Sequence, residues 1–172
     1  MLIRAMMSLF RRVPQVMIAD PMATTSLKSS SIETDEYLAL KGQKTFRGLV
    51  DLNKDEAETV LAYLDLILRM DRDIKAMGLE RHIVVAMRGG SVQYLRRDRS
   101  AFDAYDRQLV EDIARTLRLL HECGIRIEAC KVAMDRFKVP ADGVVDEVVV
   151  VKNTFITLIG FQQQGYGLVS IS

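Results

Sequence analysis

At 172 residues, with 49% hydrophobic and 27% charged side chains, the chain suits one folded globular domain with a full core and is unlike a disordered polymer. Its 24 basic and 23 acidic residues leave a formal net charge of +1, without the basic excess or stripe of a nucleic-acid binder. No apolar run reaches the roughly 18 residues of a membrane span, so neither nucleic acid nor membrane is an expected partner.

Residues 1–43 stand apart from the rest. Met1, Met6, Met7, Met17 and Met22 crowd the start, and a polar, small-residue stretch follows at Thr24–Ser31. They read as an extension ahead of a domain at 44–172, either a tail or upstream start, or an oligomerisation arm. Arg11, Arg12, Pro14 and Asp20 interrupt any export-signal core, so a cytoplasmic location is expected over export.

From Lys44 strands alternate with helices. Thr45–Val50 reads as the first strand. Asn53, with Glu56 three positions on, predicts a capping box for a helix with an apolar stripe of Ala57, Val60, Leu61, Leu64, Ile67, Leu68 and Ile74, stopped at Gly78. His82–Met87 is continuously apolar from Ile83, as expected of a central strand buried on both faces. Gly89, Gly90 and Ser91 lead into a short helical stretch at Val92–Leu95. After Arg96, Arg97, Asp98 and Arg99, read as a solvated loop, Ser100 is placed to cap a long helix through Leu109, Val110, Ile113, Leu117 and Leu120, ending at Gly124.

Ile125–Cys130 reads as the third strand, Val132–Phe137 as a short helix, Asp146–Val151 as a β-branched fourth strand, Thr154–Gln164 as a helix and Leu168–Ile171 as the last strand. Repeated strand–helix alternation predicts a three-layer α/β/α sandwich around a mostly parallel sheet of about five strands. In such a sheet four loops converge at the carboxyl edge: Asp51–Asn53, Arg88–Ser91, Cys130–Lys131 and Lys152–Thr154.

Cys130 therefore falls where ligands and chemistry collect. A thiol reacts as its thiolate, and Lys131, Arg88 and the following helix start are the expected stabilisers; an inert packed thiol would look the same in sequence. Cys123, the other cysteine, lies across a strand rising about 3.3 Å per residue, so the pair is separated by roughly 20 Å, too far for a disulfide. Cys123 is expected to be buried. The glycines of Arg88–Ser91 could cradle an anion or form a plain tight turn; they lack dinucleotide and P-loop spacing. His82 and His121 are isolated, so no metal site is expected. Arg126 and Glu128 share strand parity with Cys130 and are expected to pair with each other at a subunit contact or to reach a solvated edge.

Four stretches, Phe46–Asn53, His82–Leu95, Ile125–Cys130 and Gly160–Leu168, resemble in order and spacing the DsrE/DsrF-like family of small sulfur-metabolism proteins, from about Lys44 onward. The resemblance implies a compact α/β/α domain assembled into trimers or hexamers, and it matches Cys130 with the cysteine that carries a persulfide in sulfur-relay members. Residues 1–43 lie outside it.

Three readings follow. The first is a sulfur carrier, possible sulfurtransferase, with Cys130 as the reactive residue, an anion site at Arg88, Gly89, Gly90, Ser91, Lys131 and Asn153, no cofactor, and donor and acceptor proteins as partners. The second is a non-catalytic oligomeric scaffold with Cys130 merely packed. The third is an anion- or nucleotide-binding module.

Overall fold

The computed structural model describes residues 37–172. Most of the expected extension, residues 1–36, lies outside the described residues. A 3-10 turn at Leu38–Leu40 precedes the first strand.

Five strands form one all-parallel sheet: β1 (Thr45–Leu52), β2 (Glu80–Met87), β3 (Arg126–Cys130), β4 (Val148–Val151) and β5 (Gly167–Ile171). Their spatial order is β4-β3-β2-β1-β5, so β2 is central, as its continuous apolar run requires. The chain steps outward from β1 to β4 and then returns to the far side of β1. Right-handed crossovers put the helices before that reversal on one face and the helix after it on the other.

The packing follows this rule. On the first face α1 (Ala57–Ala76), α2 (Ala104–Glu122) and α3 (Lys131–Arg136) bury Val60, Leu64, Ile113, Leu117, Leu120 and Met134 against Leu52, Val85, Met87, Ile127 and Ala129. On the second face α4 (Thr154–Gln163) buries Leu158 against Leu49, Val84 and Ala86, with Phe161 and Tyr166 closing the cluster. A five-stranded sheet is about 20 Å wide and a helix about 10 Å across, so α4 alone leaves sheet uncovered on both its sides. Val149 and Leu168 are exposed there, and so are Phe155, Ile156 and Ile159 on α4 itself.

Two helix starts differ from the expected ones. α1 begins at Ala57 with Glu56 at the cap position and no side-chain cap bond, so the Asn53 capping box does not form. Asn53 lies instead against Gly89, where an added Cβ would come within 1.8 Å of its Oδ1. α2 is capped by Asp103, which accepts from the Asp106 amide at 2.9 Å, rather than by Ser100. Both helices stop at a glycine in the left-handed region, Gly78 and Gly124, as the sequence predicts.

The arginine cluster is a largely exposed loop, as expected, but it is tethered. Arg96 donates from Nη2 to the Phe137 and Lys138 carbonyls, both at 2.9 Å, and Arg97 pairs with Asp146, which ties the β2–α2 connection to the segment entering β4. Among the described residues no helix is long and apolar enough to cross a membrane.

Candidate functional site

Strand register determines which residues meet at the carboxyl edge. β2 and β3 pair Met87 with Ala129, and β3 and β4 pair Cys130 with Val151, so Arg88, Cys130 and Val151 stand level at the edge, with Lys152 one residue beyond. Strand alternation turns Glu128 and Cys130 toward α4. Glu128 is buried and accepts from Arg126 Nε and from Thr157 Oγ1 of α4, each at 2.5 Å, so Arg126 and Glu128 pair within the chain, with α4 as a third participant.

Cys130 ends β3 and occupies the N-cap position of α3, without a side-chain cap bond to that helix. It also meets the first turn of α4. Asn153 caps that helix by accepting from the Phe155 amide at 2.9 Å, which fixes Thr154 as its first residue. Burial pushes the Cys130 thiol up, but the Thr154 hydroxyl and amide and the Ala133 and Val132 amides outweigh it, and the net result lies below the ordinary cysteine value. The Thr154 hydroxyl is sealed from solvent and has no hydrogen-bond partner among the described residues. A buried hydroxyl without a partner is costly, so this one is poised for a charge on the neighbouring sulfur.

The expected anion site divides. Arg88 lies at the edge beside Cys130, held by Asp51: Nε donates to one carboxylate oxygen at 2.6 Å and Nη2 to the other at 2.8 Å. Asp51 is 4% exposed and also accepts from Ser170 Oγ at 3.3 Å, so it is a buried acid with its cation attached. Hydrogen bonding to Asp51 is the chief reason that the Arg88 pKa is raised, and Cys130 adds to the effect through its charge. The Phe155 ring lies over the guanidinium, 5.6 Å from its centre.

The glycine turn already holds a carboxylate from its own chain. The Gly90 amide donates to Asp55 Oδ1 at 2.9 Å, Gly89 sits at φ +58° against Asn53, and buried Ser91 donates to the Leu52 and Arg88 carbonyls. Gly89, Gly90 and Ser91 therefore build a tight 3-10 turn, Gly89–Leu95, filled from inside. Lys131 pairs with Asp135 one turn along α3 and is not among the groups that lower the Cys130 pKa. Asn153 acts as a helix cap. Cys123 is exposed, against expectation, because it caps the outer end of α2 instead of facing the core.

Thr154 and Asp51 were not distinguished by sequence. The available signal was that two neighbouring strands pass almost directly into helices, β3 at the next residue and β4 after two more, which brings two helix starts together.

Three solved structures share the fold. A protein of unknown function from Methanobacterium thermoautotrophicum, MTH1491, is 19% identical, with a TM-score of 0.58 over 73% of this chain and 99% of its own. A conserved protein of unknown function from Bacteroides thetaiotaomicron, BT1422, is 20% identical, with a TM-score of 0.53 over 74% and 95%. The ychN protein of E. coli is 13% identical, with a TM-score of 0.52 over 73% and 100%. Among curated proteins none matches. The sequence profile of the DsrE/DsrF-like family matches residues 53–171, which takes in every strand after β1 and all four helices, and the chain belongs to that family.

Proposed function

We propose that this protein carries sulfane sulfur as a persulfide on Cys130 and passes it to a partner thiol. Family membership supports a role related to sulfur metabolism. The observation that carries the finer reading is the buried, unpartnered Thr154 hydroxyl beside Cys130, together with the helix-start amides that favour a charged sulfur. In the loading step the Cys130 thiolate attacks a sulfane sulfur. A new S–S bond forms, the donor's S–S bond breaks, and its electron pair leaves with the rest of the donor. No net oxidant is consumed, and the reverse reaction with an acceptor thiolate unloads the carrier. Free thiols suit a reducing compartment such as the cytoplasm.

Intact-mass and peptide mass spectrometry after incubation with a persulfide donor tests this. Sulfur should appear on Cys130 and be absent from a Cys130→Ser variant; an unchanged mass on Cys130 at neutral pH rejects the carrier.

The exposed apolar side of α4 supports a second statement, that copies of this chain assemble into a trimer or hexamer through Phe155, Ile156 and Ile159 and the bare sheet flanks. A scaffold with an inert Cys130 would share that assembly and differ only in taking no sulfur. The nucleotide-module reading has lost its support, since the Gly90 amide is engaged by Asp55.

A further inference from the structure

Arg88 stands on the strand next to that of Cys130 and has an unused edge. Because Met87 pairs with Ala129, the two residues that follow leave the sheet on adjacent strands, about 4.8 Å apart at the backbone. Asp51 occupies Nε and Nη2 of Arg88, while Nη1 has no hydrogen-bond partner among the described residues. The guanidinium cannot swing away, because buried Asp51 holds it on one side and the Phe155 ring covers it. Cys130 is 6% exposed, so a reactant must present a slim reactive end. On the adjacent strand is the fixed guanidinium of Arg88, and at the first residue of α4 is the unpartnered hydroxyl of Thr154.

We propose that the free Nη1 edge of Arg88 binds negative charge on a small sulfane-sulfur donor, so that Cys130 is loaded by anionic donors in preference to neutral ones. This rests on the carrier reading and names the class of its donor. Inorganic polysulfide and thiosulfonates share the required chemistry: a slim terminal sulfur and an anionic leaving group. The Cys130 thiolate bonds to the terminal sulfur, and the donor's S–S bond breaks. The electron pair departs on a polysulfide one sulfur shorter, or on a sulfinate, with Arg88 stabilising that charge. The product is the Cys130 persulfide in both cases, and charge is conserved.

Two alkylating reagents of nearly equal size, iodoacetate and iodoacetamide, separate charge preference from thiol reactivity. The ratio of their rates at Cys130, followed by peptide mass spectrometry, should fall about tenfold or more in Arg88→Gln, and Arg88→Lys should retain part of it. Arg88→Gln also strands the Asp51 carboxylate. The double variant Asp51→Asn/Arg88→Gln, which buries no lone charge, should therefore give the same low ratio, with thermal melts confirming that both variants fold. Loading by inorganic polysulfide and by methanethiosulfonate, run separately, should slow by a similar factor, and the arm that loads identifies the source. A ratio unchanged in both variants overturns the proposal and leaves the carrier intact. A ratio that falls while neither donor loads Cys130 overturns the carrier and the donor class with it. No alkylation of Cys130 by either reagent overturns both.

Discussion

Thr157 Oγ1 donates to Glu128 Oε2 at 2.5 Å, a bond between α4 and β3 made two residues before Cys130. Thr157→Val keeps the shape and removes the donor, leaving a buried carboxylate with one bond fewer. The expected cost is about 1–2 kcal/mol in urea unfolding. Because the same helix presents Thr154 to the thiol, Cys130 alkylation at pH 7 should also slow, and an unaltered rate would mean that α4 is positioned without this bond.

The Asp51–Arg88 pair predicts an asymmetry. Arg88→Gln leaves the carboxylate uncompensated in a nearly sealed position, at about 3 kcal/mol. In Asp51→Asn the orphan is a guanidinium that is partly exposed and able to take water, so the loss should be smaller, about 1 kcal/mol. Equal unfolding free energies for the two variants would contradict this account.

The pH profile of Cys130 should report the balance at its sulfur. Burial raises the thiol pKa, while Thr154 and the Ala133 and Val132 amides lower it by more, so the alkylation midpoint is expected below the ordinary cysteine value. Thr154→Val removes the hydroxyl and keeps the burial, which moves the midpoint up. The sign carries over to stability. A depressed folded pKa stabilises the fold at high pH, above the unfolded value, and that contribution is lost as pH falls through the folded pKa. Wild type should therefore gain on Thr154→Val between neutral pH and about pH 9.

For the proposed assembly, Ile156→Glu with Ile159→Glu puts charge on the exposed side of α4 without touching Leu158. Sedimentation should shift to monomer while far-UV circular dichroism keeps its wild-type shape. Retention of the higher mass would place any interface elsewhere.

The strands and the helix stripes were legible because burial imposes a period: Val60, Leu64 and Ile67 repeat at helical spacing, and Ile83–Met87 is apolar throughout because both its faces are covered. Local chemistry was less legible wherever a distant residue competed. Asn53 reads as a cap until Gly89 comes to lie against it, and Asp103 outcompetes Ser100 because it immediately precedes the helix. At the site, Cys130 and Arg88 follow from strand ends alone. The weight on Thr154 does not, since a threonine after asparagine reads as part of a cap until β3 and β4 are set side by side. Lys131, adjacent in sequence, was overvalued: its ammonium is held by Asp135.

The two thiols sit at opposite ends of β3, one nearly sealed at its carboxyl end and one open to solvent just before its start. Each molecule thus carries its own reference. Any reagent meets Cys123 on the terms of simple access and Cys130 on the terms of its surroundings, in the same tube and at the same concentration. The ratio of their labelling cancels reagent decay and dose, and it turns the chemistry of one buried sulfur into a quantity read from a single digest.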